Sequence, residues 1–182
     1  MALKSTIYKA VLHVADMDRS YYGEHVLTIA RHPSETDERM MVRLLAFALN
    51  AHEHLAFGTG LSDPEAPDLW QKDLTGAIAH WIEVGQPDER AMLRACGRAG
   101  RVTVYPYRSG AEHWWEPLAA QVARARNLAV WRILPAASQA LATLAARSMV
   151  LHCTVQDGRV WISAAAETAE IEPVAWKGSE PL

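Results

Sequence analysis

Three shortages narrow the field before any motif is considered. The chain of 182 residues holds only two cysteines, Cys96 and Cys153, far apart and outside any Cys-x-x-Cys pair. That excludes a disulfide scaffold and a zinc ribbon. No apolar run is long enough to span a bilayer, and the opening "MALKSTIYKA" lacks the pattern of a signal peptide. The expectation is a cytoplasmic protein that does not enter a membrane. Strong positive charge is missing as well: the formal net charge is -3, so the chain does not coat nucleic acid by charge alone. Equally absent are a Walker loop, a dinucleotide fingerprint and a nucleophile elbow.

What is present is a globular composition, half hydrophobic and 21% charged, of a length that suits one domain over residues 1–182. The charges are unevenly spread. Between Asp88 and Arg132, arginines 90, 94, 98, 101, 108, 124, 126 and 132 outnumber four acids, whereas the stretch after Val155 is acidic, from Asp157 to Glu180. The arginine-rich middle is either a phosphate-facing surface or an ordinary solvated one.

Patterning along the chain predicts an α+β fold. Thr6–Ala15 alternates, and Glu24–Arg31 resumes after "DMDRSYYG" as the second arm of a hairpin. Asp16 and Asp18 resemble the start of a calcium loop, but the glycine is absent and Leu27 stands where a closing glutamate belongs, so the segment reads as a turn. Ser34, with Asp37 three residues on, marks a helix start, and Met41, Leu44, Leu45 and Ala48 recur at helical spacing. Strands are expected at Leu55–Thr59 and Ala77–Gly85, separated by a loop through "GLSDPEAPDLW". Helix, strand, helix, strand and helix follow, with helices at Pro117–Arg126 and Ser138–Ser148. The chain closes on the hairpin "MVLHCTVQ-DG-RVWIS". A central mixed sheet flanked by helices results, with the terminal hairpins forming an additional small sheet or extending the first.

The chemistry centres on Glu83. Its strand is apolar on both faces, and an ionised carboxylate there costs several kcal/mol unless a cation or hydrogen bonds compensate it. Asp73, ahead of the Thr75-Gly76 turn, and Asp68, in "PDLW", are rival partners. Either pair suits magnesium, which takes one or two carboxylates and completes its shell with water and phosphate. Against this stands an ordinary buried acid with a local partner. Arg90, Arg94 and Arg98 fall at i, i+4 and i+8 on the next helix and offer phosphate contacts or a solvated face. Glu38 is better aimed inward than Glu35. Trp114-Trp115 reads as core anchoring before base stacking, and "HEH" at 52–54 does not suit a shared metal.

Five strings, "MALKSTIYKA", "ARHPSETDERMMVRLL", "HWIEVGQPDER" with "RACGRA", and "TVQDGRVWIS", resemble the YaeQ family nearly end to end. That family is similar in turn to the PD-(D/E)XK nucleases. The resemblance implies a restriction-endonuclease-like core of helix, three-strand meander, helix and strand, with the terminal hairpins as additions. It makes Glu83 the acid of the (D/E)-x-K element, Asp68 or Asp73 the first acid, and Glu38 a supporting carboxylate. Mg²⁺ or Mn²⁺ is the implied cofactor and nucleic acid the implied substrate. This sequence departs from the pattern at Gly85 and Gln86, where a lysine is expected, and at Ala79, where an acid is often found. Gln86 can orient water, and Arg94 can restore charge without serving as a base. Two expectations follow: a metal-dependent phosphodiesterase, or a module that kept the fold, lost the reaction and binds nucleic acid or a protein partner.

Overall fold

The computed structural model describes residues 4–178; of the acidic stretch, Glu180 lies outside them. Strands β1 (Thr6–Asp16) and β2 (Tyr21–Arg31) form the expected hairpin, and the alternation in β1 buries Tyr8, Ala10, Leu12, Val14 and Asp16 on one face. Helix α1 spans Asp37–Leu49. A three-strand antiparallel meander follows: β3 (Leu55–Phe57), β4 (Leu69–Lys72) and β5 (Ile78–Val84). Next come α2 (Glu89–Arg98), β6 (Ala99–Tyr105), α3 (Ala111–Gln121), β7 (Leu128–Arg132) and α4 (Pro135–Ala142). The closing hairpin of β8 (Ser148–Gln156) and β9 (Arg159–Ala164) leads to β10 (Glu167–Ile171) and β11 (Val174–Lys177).

The strands make two mixed sheets. One has the order β10-β9-β8-β1-β2, with β1 parallel to β8; the other has the order β11-β7-β6-β5-β4-β3, with β5, β6 and β7 parallel. Helix α1 lies between them. It is buried all round from Met40 to Leu49, broader than the single stripe its sequence period suggests. The second apolar cluster sits on the far face of the six-stranded sheet, where Trp81, Val102, Val104 and Val130 meet Met92 and Ala95 of α2.

Local chemistry explains several departures from the sequence expectations. Thr36, not Ser34, caps α1, because the Thr36 hydroxyl accepts the Arg39 N–H at 3.1 Å while Ser34 is engaged with His32. The loop before Trp70 ends early, and Leu69–Lys72 pairs with β5. Helix α3 starts at Ala111, where the Gly110 carbonyl accepts from His113 and Trp114, so Pro117 lies inside it and withholds a donor from the His113 carbonyl. Pro135 opens α4 three residues earlier than expected, its fixed φ suiting a first helical turn. The acidic stretch carries β10, which makes the additional sheet five-stranded and not small, and β11, which pairs with β7 in the other sheet.

The terminal hairpins are tied to each other. Asp157 and Gly158 both adopt positive φ in their turn, and their N–H groups donate to the Asp18 carboxylate at 2.8 and 2.9 Å. Asp16, fully buried, holds Arg19, which reaches the Ala51 carbonyl beyond the end of α1. The Asp16–Asp18 segment is therefore a turn that staples two hairpins and a helix.

Helix α1 is anchored at its other end by Glu35. Both its oxygens accept from Arg43, each at 2.8 Å, and Arg43 also donates to the Ala30 carbonyl of β2. Both side chains are buried, Glu35 at 4% and Arg43 at 1% exposure. Removing one member of a buried pair strands the other charge and costs about 3–5 kcal/mol. Glu35→Gln is therefore expected to lower the unfolding midpoint by at least about 6 °C in thermal denaturation. Arg94→Ala, which breaks the exposed pair with Glu65, is expected to cost less than about 1 kcal/mol in the same measurement.

Candidate functional site

The register of β4 on β5 decides which acid accompanies Glu83. Leu69 pairs with Ile82 and Trp70 with Trp81, so Asp68 lies across from Glu83 at the carboxyl end of β5. An Asp68 oxygen accepts the Val84 N–H at 2.7 Å. Gly58 makes this placement possible: a Cβ there would lie 2.0 Å from the Pro67 carbonyl oxygen, and the Gly58 N–H donates to the Asp68 carbonyl at 2.8 Å. Asp73 stands at the other end of the hairpin, roughly 17 Å of strand away from Glu83. Its exposed carboxylate binds the Thr75 hydroxyl and the N–H groups of Thr75 and Ala77, which closes the turn. Turn closure explains Asp73; proximity to Glu83 does not.

Glu83 is half-buried. Its Oε1 accepts the Trp81 indole N–H at 2.7 Å, and its carboxyl is close enough to Asp68 to share a hydrogen bond when protonated. Burial, reinforced by the Asp68 charge, pushes the Glu83 carboxyl up to about 7, while the Trp81 indole and Arg39 oppose the rise. Arg39 reaches the pair from α1: Nη2 donates to Asp68 at 2.7 Å and to the Val84 carbonyl at 3.2 Å, and Nη1 donates to Glu35 at 2.9 Å. The constellation is thus two adjacent carboxylates, one guanidinium and two main-chain groups, at the end of a parallel strand.

The remaining sequence candidates lie elsewhere. Glu38 accepts the Ser138 hydroxyl at 2.6 Å and lines a cleft of about 340 Å³ whose walls include neither Asp68 nor Glu83. The acid before the cap is the inward one: Glu35 is buried and Glu38 is only half-buried, the reverse of the sequence expectation. Gln86 is exposed just beyond β5, and Arg90 is exposed on α2. Arg94 pairs with Glu65 at 3.0 Å, while Arg98 donates to the Glu65 carbonyl and lies over the Trp81 ring. The two therefore hold the loop before β4 rather than reach the acids. Trp114 donates to the Pro87 carbonyl and Trp115 stacks on Trp176, which is anchoring. Among the described residues no group of three or more histidines, cysteines, aspartates or glutamates is arranged to hold a metal.

Gly85 explains the missing lysine. Its φ of 111° lies where side-chain-bearing residues are strained, so a lysine would not be accommodated in this backbone. The guanidinium beside the acids is that of Arg39. Sequence reasoning passed over it, although Glu35, Arg39 and Arg43 recur at i, i+4 and i+8, and charges inside an otherwise apolar helix signal buried partners.

A protein-family model described as YaeQ protein matches residues 1–173. The chain belongs to the YaeQ family. It is 45% identical over 178 residues to a Salmonella typhi protein named Uncharacterized protein YaeQ, covering 97% of this chain and 98% of that one. An Escherichia coli (strain K12) protein of the same name is 42% identical, with the same coverage. The crystal structure of the YaeQ protein from Xanthomonas axonopodis pv. citri matches with a TM-score of 0.94 at 44% identity, covering 96% of this chain and 99% of that chain. That of the YaeQ protein from Pseudomonas syringae matches with a TM-score of 0.92 at 36% identity, over 96% and 97%. Both sheets and the helices between them therefore follow the architecture of YaeQ proteins. Among the described residues no helix is long and apolar enough to cross a membrane.

The raised proton affinity of Glu83 has a sign that can be checked. The folded state binds this proton more tightly than the unfolded state, so the stabilisation is full below the ordinary value of 4.5 and is lost as pH rises through about 7. Glu83→Gln mimics the protonated carboxyl. It is expected to match the native chain in thermal unfolding near pH 4.5 and to exceed it near pH 8; parallel profiles would show that Glu83 titrates normally.

Proposed function

We propose that the chain is a divalent-metal-dependent phosphodiesterase acting on nucleic acid, with Asp68 and Glu83 as its paired acids. The observation that carries this reading is their adjacency across β4 and β5, with Glu83 held at a raised proton affinity by burial and by Asp68. Two carboxylates beside one main-chain carbonyl, that of Val84, fit the donor preference of Mg²⁺ or Mn²⁺. Such an ion supplies phosphoryl polarisation and an acidified water. The element order α1, β3, β4, β5, α2, β6 supports assigning a restriction-endonuclease-like core to the six-stranded sheet and its helices. The terminal hairpins are then additions to that core.

The chain's own groups take distinct parts in this reading. Trp81 fixes one Glu83 oxygen and leaves the other directed to the shared site. Arg39 offsets the negative charge of the pair, in the place the strand lysine would take. Gln86 stands beyond the strand end, able to orient a water but not to take its proton. The Arg94–Glu65 pair is exposed on both sides and weak, so a substrate phosphate can replace its carboxylate.

A second reading rests on the same guanidinium. Arg39 already donates to Asp68, which satisfies part of the demand that a metal would meet. In that case the chain is a nuclease-fold module that binds without cutting.

Thermal unfolding with and without Mn²⁺ or Mg²⁺ separates the two. A metal at about a hundred times its dissociation constant stabilises by about 2.7 kcal/mol, a rise of roughly 5–11 °C. The expected result is that rise in the native chain, its loss in Asp68→Asn and Glu83→Gln, its retention in Asp73→Asn, and metal-dependent strand cleavage with the same dependence on residue. A rise of equal size in all four proteins would place the metal elsewhere. Its absence from the native chain, together with no cleavage, would favour the binding module.

A further inference from the structure

Beside the acid pair, the face of the six-stranded sheet that carries α2 holds a feature the proposed reaction does not use. Trp70 on β4 lies opposite Trp81 on β5 and opposite Ala56 on the edge strand β3. Trp81 is buried under the Arg98 guanidinium, 5.1 Å above its ring. Trp70 is only half-buried, Ala56 beside it is exposed, and the Lys72 ammonium lies over its ring, 3.8 Å from the centroid. Lys72 is itself exposed. The row of Trp70 and Trp81 is two residues, about 7 Å, along the strands from the row of Asp68 and Glu83. The Trp81 indole N–H joins the two rows directly.

A large flat ring one strand in from the sheet edge, half-buried and with an exposed ammonium over it, suits a planar ligand that brings negative charge. A nucleobase satisfies both needs: its ring replaces the ammonium over the indole, and Lys72 turns to the adjoining phosphate. Bases in a duplex are stacked on their neighbours and present edges rather than faces. The geometry points to Trp70 as a stacking platform for an unpaired base, with Lys72 as its phosphate partner, so that the site takes single-stranded nucleic acid. This inference rests on the acid-pair reading for what happens next, since a base on Trp70 sets its own phosphate within one step of Asp68 and Glu83.

The test uses the native chain in EDTA, titrated with a labelled thymidine oligonucleotide of about twelve residues, with a duplex of equal length, and with an abasic strand of equal phosphate count, each read by anisotropy. The native chain is expected to prefer the thymidine strand to the duplex. Trp70→Leu is expected to weaken thymidine-strand binding between about five- and about a hundredfold, with abasic-strand binding unchanged. Trp70→Phe, which keeps a ring at the same strand position, is expected to retain most of the affinity. Equal thymidine-strand affinity of the native chain and Trp70→Leu would overturn the inference, as would equal affinity of the native chain for strand and duplex, or no binding of the strand by the native chain. The acid-pair reading is judged separately by the Mn²⁺-induced rise in unfolding temperature. Trp70→Leu should keep that rise, because it leaves Asp68 and Glu83 in place, whereas Asp68→Asn should lose it.

Discussion

A buried glutamate flanked by two arginines organises this molecule. Glu35 is deeply buried, and Arg43 and Arg39 both converge on its Oε1. Arg43 faces one sheet and closes on the β2 carbonyl of Ala30; Arg39 faces the other and ends on Asp68 and the Val84 carbonyl. One carboxylate thereby fixes the start of α1 against both sheets. The same chain of contacts sets the charge of the candidate site. Three acids (Glu35, Asp68 and Glu83) share two guanidiniums, so full ionisation leaves one negative charge in excess where water is scarce. Glu83, with only an indole as direct donor, is the member whose proton affinity rises.

That arrangement also accounts for the departure at Gly85. A strand lysine two residues after the second acid requires ordinary strand backbone, and here the chain leaves β5 through a left-handed residue whose N–H donates to the Tyr105 carbonyl. The turn and the lysine are incompatible. The cation beside Asp68 is a guanidinium on α1, and its chemistry differs from that of a lysine. A guanidinium stays protonated near neutrality and binds its partners as a planar fork, so it can hold Asp68 and Glu35 together but cannot pass a proton. Proton transfer at this site would have to involve a carboxylate or water.

Much of the architecture was readable from local pattern. The two hairpins, α1, β5 and the strands β6 and β7 follow from alternation, helical spacing and turn residues, because each signal is contained within the segment it describes. What escaped was long-range. Leu69–Lys72 has too few residues to signal a strand and becomes one by pairing with β5. Pro117 suggested a helix start because proline suits a first turn, yet Gly110 had already begun the helix. In the site, Glu83 stood out as an acid in an apolar strand, but the choice between Asp68 and Asp73 depended on register, which spacing alone does not set. Arg39 and Trp70 were overlooked for a related reason. An arginine in a first helical turn and a tryptophan at the end of an apparent loop take on meaning only when the fold brings partners to them.

The terminal hairpins bear on the site although they contribute no residue to the acid pair. Were α1 covered by the six-stranded sheet alone, Glu35 and Arg43 would face water, and their pairing would be weak and mobile. The five-stranded sheet closes over them. Asp18 fastens its two hairpin turns together, and Arg19 fastens the end of β1 to the chain just past α1. With water excluded, Glu35 must keep both arginines, and Arg39 is held in one direction, toward Asp68. The additional sheet thus acts on the candidate site through dielectric and rigidity: it strengthens the charge pairing at one end of α1, and that pairing positions the cation against Asp68 at the other sheet.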